Sequence, residues 1–127
     1  ILHYYGTKGV RMYTYKATLI RVIDGDTIDA EINLGFNVIV KQRIRLYGIK
    51  TPESNSTDLE IKELGLDAKA RLIELLPRKF IVETVMNKRG KIGRVLGIVY
   101  YSSNNDDNYD TNINDILVNE GFATNHT

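Results

Sequence analysis

The segment that decides the fold is Asn37-Val38-Ile39-Val40-Lys41-Gln42-Arg43-Ile44-Arg45-Leu46-Tyr47. Its apolar and charged residues largely alternate, and successive side chains of a β-strand point to opposite faces. The apolar face comprises Val38, Val40, Ile44 and Leu46, and the opposite face comprises Lys41, Arg43, Arg45 and Tyr47. Residues 37–47 are therefore predicted to form a strand with one face in the core and one basic face that carries a tyrosine.

Two further strands are predicted before this segment. Tyr13–Ile23 is rich in Tyr, Thr, Ile and Val, which favour extended backbone. The pair Asp24-Gly25 is a tight-turn signal, and Thr27–Asn33 follows it as a second strand. Leu34-Gly35-Phe36 turns the chain again, so the three strands are expected to form consecutive hairpins.

A helix is predicted after the strands. Ser54–Glu63 is polar and is interpreted as a mobile loop. Leu66–Leu76 has apolar residues at helical spacing, and Pro77 is expected to end the helix because proline lacks an amide donor. The apolar residues are Ala68, Leu72, Leu75 and Leu76.

Two more strands are predicted towards the C-terminus. Lys79–Met86 and Arg94–Tyr101 have strand composition, and the basic turn Asn87-Lys88-Arg89-Gly90-Lys91 joins them. Ser102–Asn112 is an Asn/Asp-rich loop with few apolar residues.

A second, short helix is predicted to follow this loop. Ile113, Ile116 and Leu117 form its apolar side, and Gly121 is placed to cap its C-terminus. Five strands in hairpins with a helix between the third and fourth predict an α+β domain. Its expected architecture is a five-stranded Greek-key barrel of the OB-fold type with two helices.

Composition sets the limits for function. The 127 residues suffice for one domain, predicted over residues 13–127 with an N-terminal extension over 1–12. Because 17 Lys+Arg balance 16 Asp+Glu, for a net charge of +1, any affinity for DNA or RNA must come from a local patch. The chain has no Cys, which excludes disulfides and Cys-ligated zinc. No stretch has the pattern of a signal peptide or of a membrane-spanning segment, so secreted and cytoplasmic locations both stay open. The protein is expected to be a monomer.

Three charged residues suggest phosphodiester chemistry. Arg45 lies near the end of the predicted third strand, Glu53 follows that strand after Thr51-Pro52, and Arg94 opens a later strand. Arginine can hold two phosphate oxygens and stays charged, and a carboxylate can take a proton from an attacking water. Taken alone, Arg45 would be a solvated charge, so the hypothesis depends on all three side chains meeting at one site.

The ordered motifs of the chain resemble those of the staphylococcal nuclease (thermonuclease-like) family over about residues 17–123. The resemblance implies an OB-type barrel and calcium-dependent cleavage of DNA and RNA that leaves 3′-phosphate ends. It implies that Glu53 is the general base and that Arg45 and Arg94 hold the phosphate. The matching motifs are Ile23-Asp24-Gly25-Asp26-Thr27, Arg45-Leu46 with Thr51-Pro52-Glu53, Gly65 with Ala68 before the helix, Lys91-Ile92-Gly93-Arg94 with Leu96, and Val118-Asn119-Glu120-Gly121-Phe122-Ala123.

The same resemblance implies a calcium site and a further phosphate contact. Its ligands would be Asp26, the backbone carbonyl of Thr51 and Glu53, and Lys91 would contact a terminal phosphate. From the residues alone, Asp24-Gly25 is more simply a hairpin turn, in which Asp26 would accept backbone N–H groups.

Lys50 departs from the family pattern, because an aspartate calcium ligand is found at its position in the family. A cation there opposes calcium, so we expect weak calcium binding or none. Either the long side chain of Lys50 carries its charge to solvent, or its ammonium replaces the metal and binds Asp26 and a substrate phosphate. An alternative function is therefore an OB-fold module that binds DNA or RNA with weak or no catalysis.

Overall fold

The computed structural model describes residues 13–85, 95–102 and 108–126. The strands are β1 Tyr13–Asp24, β2 Thr27–Asn33, β3 Ile39–Leu46, β4 Ile49–Lys50, β5 Lys79–Val85, β6 Val95–Tyr101, β7 Thr111–Asn112 and β8 Thr124–Asn125, and the helices are α1 Leu59–Leu75 and α2 Ile113–Asn119.

Five strands form a closed barrel in the order β3-β2-β1-β5-β6. Neighbours in this order are antiparallel, and β3 closes the barrel by pairing in parallel with β6, with Ile44 opposite Val95 and Leu46 opposite Gly97. The connection through α1 places β5 beside β1. The predicted α+β class and OB-type barrel with two helices are confirmed.

The alternation within β3 positions its two faces as predicted at the C-terminal end of the strand. Ile44 and Leu46 are buried in the core, whereas Arg43 and Arg45 lie on the outer face. The prediction for Val38 was wrong, because this residue precedes the strand and is 48% exposed. The turn before β3 is longer than expected, since it includes two consecutive residues with positive φ, Phe36 and Asn37.

Helix α1 begins earlier than the sequence suggested. Its N-cap is Asp58, whose carboxylate accepts hydrogen bonds from the amides of Glu60 and Ile61. The interpretation of residues 59–63 as loop was therefore wrong, and Gly65 lies within the helix rather than before it. The predicted end is confirmed, because the helix stops at Leu75, two residues before Pro77.

The C-terminal segment returns to the barrel. Helix α2 is followed by Gly121 with φ +84°, a left-handed conformation that glycine adopts without steric cost, as predicted for the end of this helix. The chain then forms β8, which pairs with β4 so that Lys50 lies opposite Thr124. This small second sheet was not predicted.

Several predictions fall outside the described residues. These are the extension over 1–12, Met86, the basic turn over 87–91, Ile92, Arg94 and much of the loop over 102–112. Within the described ranges, neither helix has the length and apolar composition needed to cross a bilayer.

Candidate active site

Asp26 links two distant parts of the chain. It lies in the two-residue turn between β1 and β2 and is 6% exposed. Its Oδ1 accepts a hydrogen bond from the Thr27 hydroxyl at 3.0 Å, and its Oδ2 accepts one from the backbone N–H of Thr51 at 3.2 Å. The first hairpin turn is therefore joined to the segment that follows β4.

Arg45 meets the same carboxylate from β3. Its cross-strand partner is Thr27, and its Nη2 lies 3.9 Å from Asp26 Oδ2. The Arg45 side chain is 30% exposed, and its guanidinium forms no hydrogen bond with a described residue. The contact with Asp26 therefore orients the guanidinium while leaving its N–H donors available to an incoming anion.

Glu53 is exposed, but its backbone is held firmly. Its carboxylate has no hydrogen bond or ion pair with the residues that the structure describes. The next residue, Ser54, donates both its backbone N–H, at 3.1 Å, and its hydroxyl to Asp24 Oδ1. A free carboxylate on an anchored backbone is well suited to accept a proton from water.

Two glycines allow α1 to approach this segment closely. A Cβ at Gly65 would lie 2.6 Å from both the carbonyl carbon of Glu53 and the backbone nitrogen of Ser54. A Cβ at Gly25 would lie 2.7 Å from the Cβ of Ala68 and 3.0 Å from Thr51 Oγ1. Glycine is therefore needed at position 25 because the backbone packs closely against the helix and Thr51. The sequence had suggested a different reason, the backbone conformation of a tight turn.

Thr51 and Lys50 differ sharply in environment. Thr51 is 3% exposed, and its buried hydroxyl has no hydrogen-bond partner in the part of the chain that the structure describes. Lys50 is exposed, and its carbonyl accepts a hydrogen bond from the Thr124 hydroxyl at 3.5 Å. The Lys50 ammonium forms no ion pair with Asp26 or with any other described carboxylate.

The oxygen donors of the site are few for calcium, which takes six to eight oxygen ligands. No group of three or more His, Cys, Asp or Glu side chains able to hold a metal occurs among the described residues. Both oxygens of Asp26 already accept hydrogen bonds. Lys50, which directly precedes the candidate ligand Thr51 in the chain, carries a positive charge. This donor set does not fit a tight calcium site.

Arg94 and Lys91 lie outside the described residues, so their positions relative to Asp26 are not described. The described chain resumes at Val95, whose register partner is Ile44, and Leu96 is the partner of Arg45. The beginning of β6 therefore lies beside the end of β3 that carries Arg45.

Sequence reasoning missed the roles of two residues that position the site. Asp24 was interpreted as part of a turn and of a family motif, without a contact of its own, yet it anchors Ser54 thirty residues further along the chain. Gly65 was noted only as a motif residue, without its contact to the Glu53–Ser54 peptide. The one local signal was the conjunction of small residues, Gly65 and Ala68, on a single helical face.

Comparisons with known proteins agree with this architecture. The family model described as "Staphylococcal nuclease homologue" matches residues 43–127, a span that contains Arg45 and Glu53 and excludes Asp26. A protein named "Micrococcal nuclease" from Shigella flexneri is 34% identical over 113 residues. The alignment covers 86% of this chain and 57% of that relative, so the chain spans little more than half of the relative's length.

Proposed function

We propose, because this chain belongs to the staphylococcal nuclease homologue family, that it is a nuclease that hydrolyses phosphodiester bonds of DNA or RNA. The residues proposed to act directly on the substrate are Arg45, Glu53 and Arg94. Lys91 and Lys50 are proposed to contact substrate phosphates.

The observation that carries the proposal is the bridge formed by Asp26. Its Oδ2 contacts both Arg45 of β3 and the backbone N–H of Thr51, two residues before Glu53. Two residues of extended chain span at most about 7 Å, which supports a position of Glu53 near the Arg45 guanidinium. This bridge supports the proposal that Arg45 and Glu53, whose carboxylate has no partner among the described residues, act together at one edge of the barrel.

In the proposed reaction, the Glu53 carboxylate takes a proton from a water molecule as its oxygen attacks phosphorus. A new P–O bond forms, and the bond from phosphorus to the leaving sugar oxygen breaks. The leaving oxygen then takes a proton from solvent. Arg45 and Arg94 donate hydrogen bonds to the non-bridging oxygens, whose negative charge grows as the water attacks.

Calcium is proposed to bind weakly if at all. The candidate donors are Asp26, the carbonyl of Thr51 and Glu53. Calcium bound there would polarise a phosphoryl oxygen. Lys50 adds a positive charge next to these donors, and electrostatic repulsion between the two cations weakens the metal site.

The test is cleavage of single-stranded DNA by the wild type and by Glu53→Gln, with and without calcium. We expect Glu53→Gln to lower the rate by about 10²–10⁴-fold, the usual effect of losing a general base. The matched control is Glu63→Gln, which changes an exposed carboxylate of α1 in the same way and should keep full activity. Equal rates for the wild type and Glu53→Gln would reject the proposed role.

A second candidate function is supported by Lys50, a cation at the position of a family metal ligand. A barrel that keeps its basic outer face while binding no metal would bind DNA or RNA without cutting it. This alternative requires salt-dependent binding and no cleavage with any divalent ion. Turnover that depends on Glu53 would eliminate it.

A further inference from the structure

A second group of arginines lies on the outer face of the barrel. Arg21 of β1, Asp29 of β2 and Arg43 of β3 are direct cross-strand neighbours. Arg21 Nε donates to Asp29 Oδ2 at 2.9 Å. From the other side, Arg43 donates its Nε to Asp29 Oδ1 at 2.9 Å and its Nη2 to Oδ2 at 3.3 Å. One carboxylate therefore holds two guanidinium groups side by side.

Much of the hydrogen-bonding capacity of this group is unused. The side chains of Arg21 and Arg43 are 63% and 57% exposed, whereas that of Asp29 is 14% exposed. Among the described residues, both terminal NH₂ groups of Arg21 and the Nη1 of Arg43 lack an acceptor. The three charges sum to +1, so an anion approaching from solvent meets oriented donors and a net positive charge.

Stability alone gives a weak reason for this arrangement. Ion pairs between exposed side chains contribute about 0–1 kcal/mol to folding. The Arg43 guanidinium beside Asp29 lowers the pKa of that carboxyl, and both arginines add electrostatic attraction, so Asp29 remains charged at neutral pH. Its main effect is to fix the orientation of the two arginines.

The group lies next to the candidate active site. Arg43 and Arg45 are two residues apart on the same face of β3, a separation of about 7 Å along an antiparallel strand. Proteins that bind single strands commonly use a row of positive charges that follows the phosphate backbone. Further along β3, Lys41 is opposite Glu31, so the charges of that pair cancel and the excess of positive charge ends at Arg43.

We propose that Arg21, Asp29 and Arg43 form a second phosphate-binding site, which holds the phosphate next to the one at Arg45. This inference rests on the proposed function and narrows it. The proposed substrate is an oligonucleotide that the protein contacts at two or more successive phosphates. A nucleotide ester with a single phosphodiester would bind at Arg45 without using Arg21 and Arg43.

Binding is measured in the Glu53→Gln background, so that the substrate stays intact. The slope of log affinity against log salt reports the number of phosphates contacted, with about 0.7 per phosphate for single strands. We expect Arg43→Gln to reduce the slope for a short oligonucleotide by about this amount. The control is Lys16→Gln, which removes the same charge from β1, five residues and about 17 Å from Arg21.

A third variant separates orientation from charge. Asp29→Asn increases the local positive charge but removes the carboxylate that holds both arginines. We expect it to weaken oligonucleotide binding, and a gain in affinity would overturn the proposed site.

Catalysis supplies a second measurement in the otherwise wild-type protein. Arg43→Gln should raise KM for an oligonucleotide roughly tenfold, as expected for the loss of a charge-assisted hydrogen bond. The same variant should leave KM unchanged for a nitrophenyl phosphodiester of one nucleoside, because that substrate has no second phosphate. If Arg43→Gln matches Lys16→Gln in both slope and KM, the second site is rejected. Failure of the nuclease proposal is recognised separately, because a wild type that shows the Arg43-dependent slope but never cleaves would refute the nuclease function and leave the second phosphate-binding site standing.

Discussion

The backbone N–H of Thr51 donates a hydrogen bond to Asp26 Oδ2 across 3.2 Å, although the two residues are 25 positions apart. The same oxygen lies 3.9 Å from Arg45 Nη2. One buried carboxylate thus connects a hairpin turn, the outer face of β3 and the segment that leads to Glu53. The chemistry proposed for Arg45 and Glu53 depends on this connection.

Removing the Asp26 carboxylate should destabilise the protein. Asp26→Ala leaves the Thr51 amide without its acceptor in a buried position, which costs about 1–3 kcal/mol. Denaturant unfolding in the presence of a calcium chelator measures this effect without any contribution from metal. Asp67→Ala, at an exposed position of α1, is the control and should change stability by less than about 0.5 kcal/mol. Equal stability of the two variants would contradict the bridging role of Asp26.

Gly65→Ala tests the contact between α1 and the Glu53–Ser54 peptide. In most helices this change is stabilising, but here the new Cβ would lie 2.6 Å from backbone atoms. We expect unfolding free energy to fall by about 1–3 kcal/mol and cleavage to fall by about 10²-fold as Glu53 is displaced.

The control for Gly65→Ala is Ala70→Gly on the exposed side of α1. It should cost about 1 kcal/mol through helix propensity while leaving the rate of cleavage unchanged. A Gly65→Ala protein with raised stability and full activity would show that the peptide moves away without consequence.

Elements of the fold that are defined by residues close together in the sequence were predicted accurately, and elements without a clear local pattern were not. The bounds of β2 were predicted to the residue, because Asp24-Gly25 and Leu34-Gly35-Phe36 define its ends locally. The first turns of α1 were predicted to be loop. Their apolar residues Leu59, Ile61 and Leu64 are exposed, so this part of the sequence lacks the spacing of apolar residues that marks a helix packed on a core.

The sequence was sufficient to predict candidate residues for the site, but not which contacts hold them in position. Arg45 and Glu53 were identified because charged residues at the end of a strand and after a turn have recognisable chemistry. The contacts that position them join residues 25 or more apart, as in Asp26 with Thr51 and Asp24 with Ser54. Such pairs leave no trace in local periodicity, so only the folded chain reveals them.

Asp29 should make stability depend on pH at the acidic end. Its pKa lies below the ordinary value of 3.8, chiefly because Arg43 donates hydrogen bonds to the carboxylate. A lowered pKa contributes stability that is present above 3.8 and is lost as the pH falls through the lower, folded-state pKa. At neutral pH, Asp29→Asn should therefore be less stable than the wild type by up to about 1 kcal/mol.

Denaturant unfolding from neutral pH to below 3.8 checks this expectation. The difference between the wild type and Asp29→Asn should shrink as the pH falls below 3.8. A difference that stays constant over this range would mean that the ion pairs of Asp29 add nothing to folding.

Asn114 should be essential for closing the barrel. Its side chain is 4% exposed, accepts a hydrogen bond from the Val99 amide, and donates to the carbonyls of Tyr47 and Gly97. Asn114→Ala removes a hydrogen-bond partner from the Val99 amide and from the Tyr47 carbonyl, whereas the Gly97 carbonyl still accepts from the Tyr47 amide. We expect the unfolding free energy to fall by about 2–4 kcal/mol. Asn119→Ala, at an exposed position of the same helix, should stay within about 0.5 kcal/mol of the wild type in the same denaturation experiment.

Lys50 should control metal affinity. The Lys50 side chain is exposed, and β4 is held to β8 through backbone pairing with Thr124, so Lys50→Asp should leave the fold intact. The substitution replaces a cation with an oxygen ligand next to Asp26, Thr51 and Glu53. We therefore expect calcium to bind at least tenfold more tightly, a change of about 1.4 kcal/mol, as measured by calorimetric titration. The control is Lys16→Asp, which makes the same change of charge at a distant position of β1. If both variants bind calcium equally, Lys50 lies away from the metal and the electrostatic argument for weak calcium binding fails.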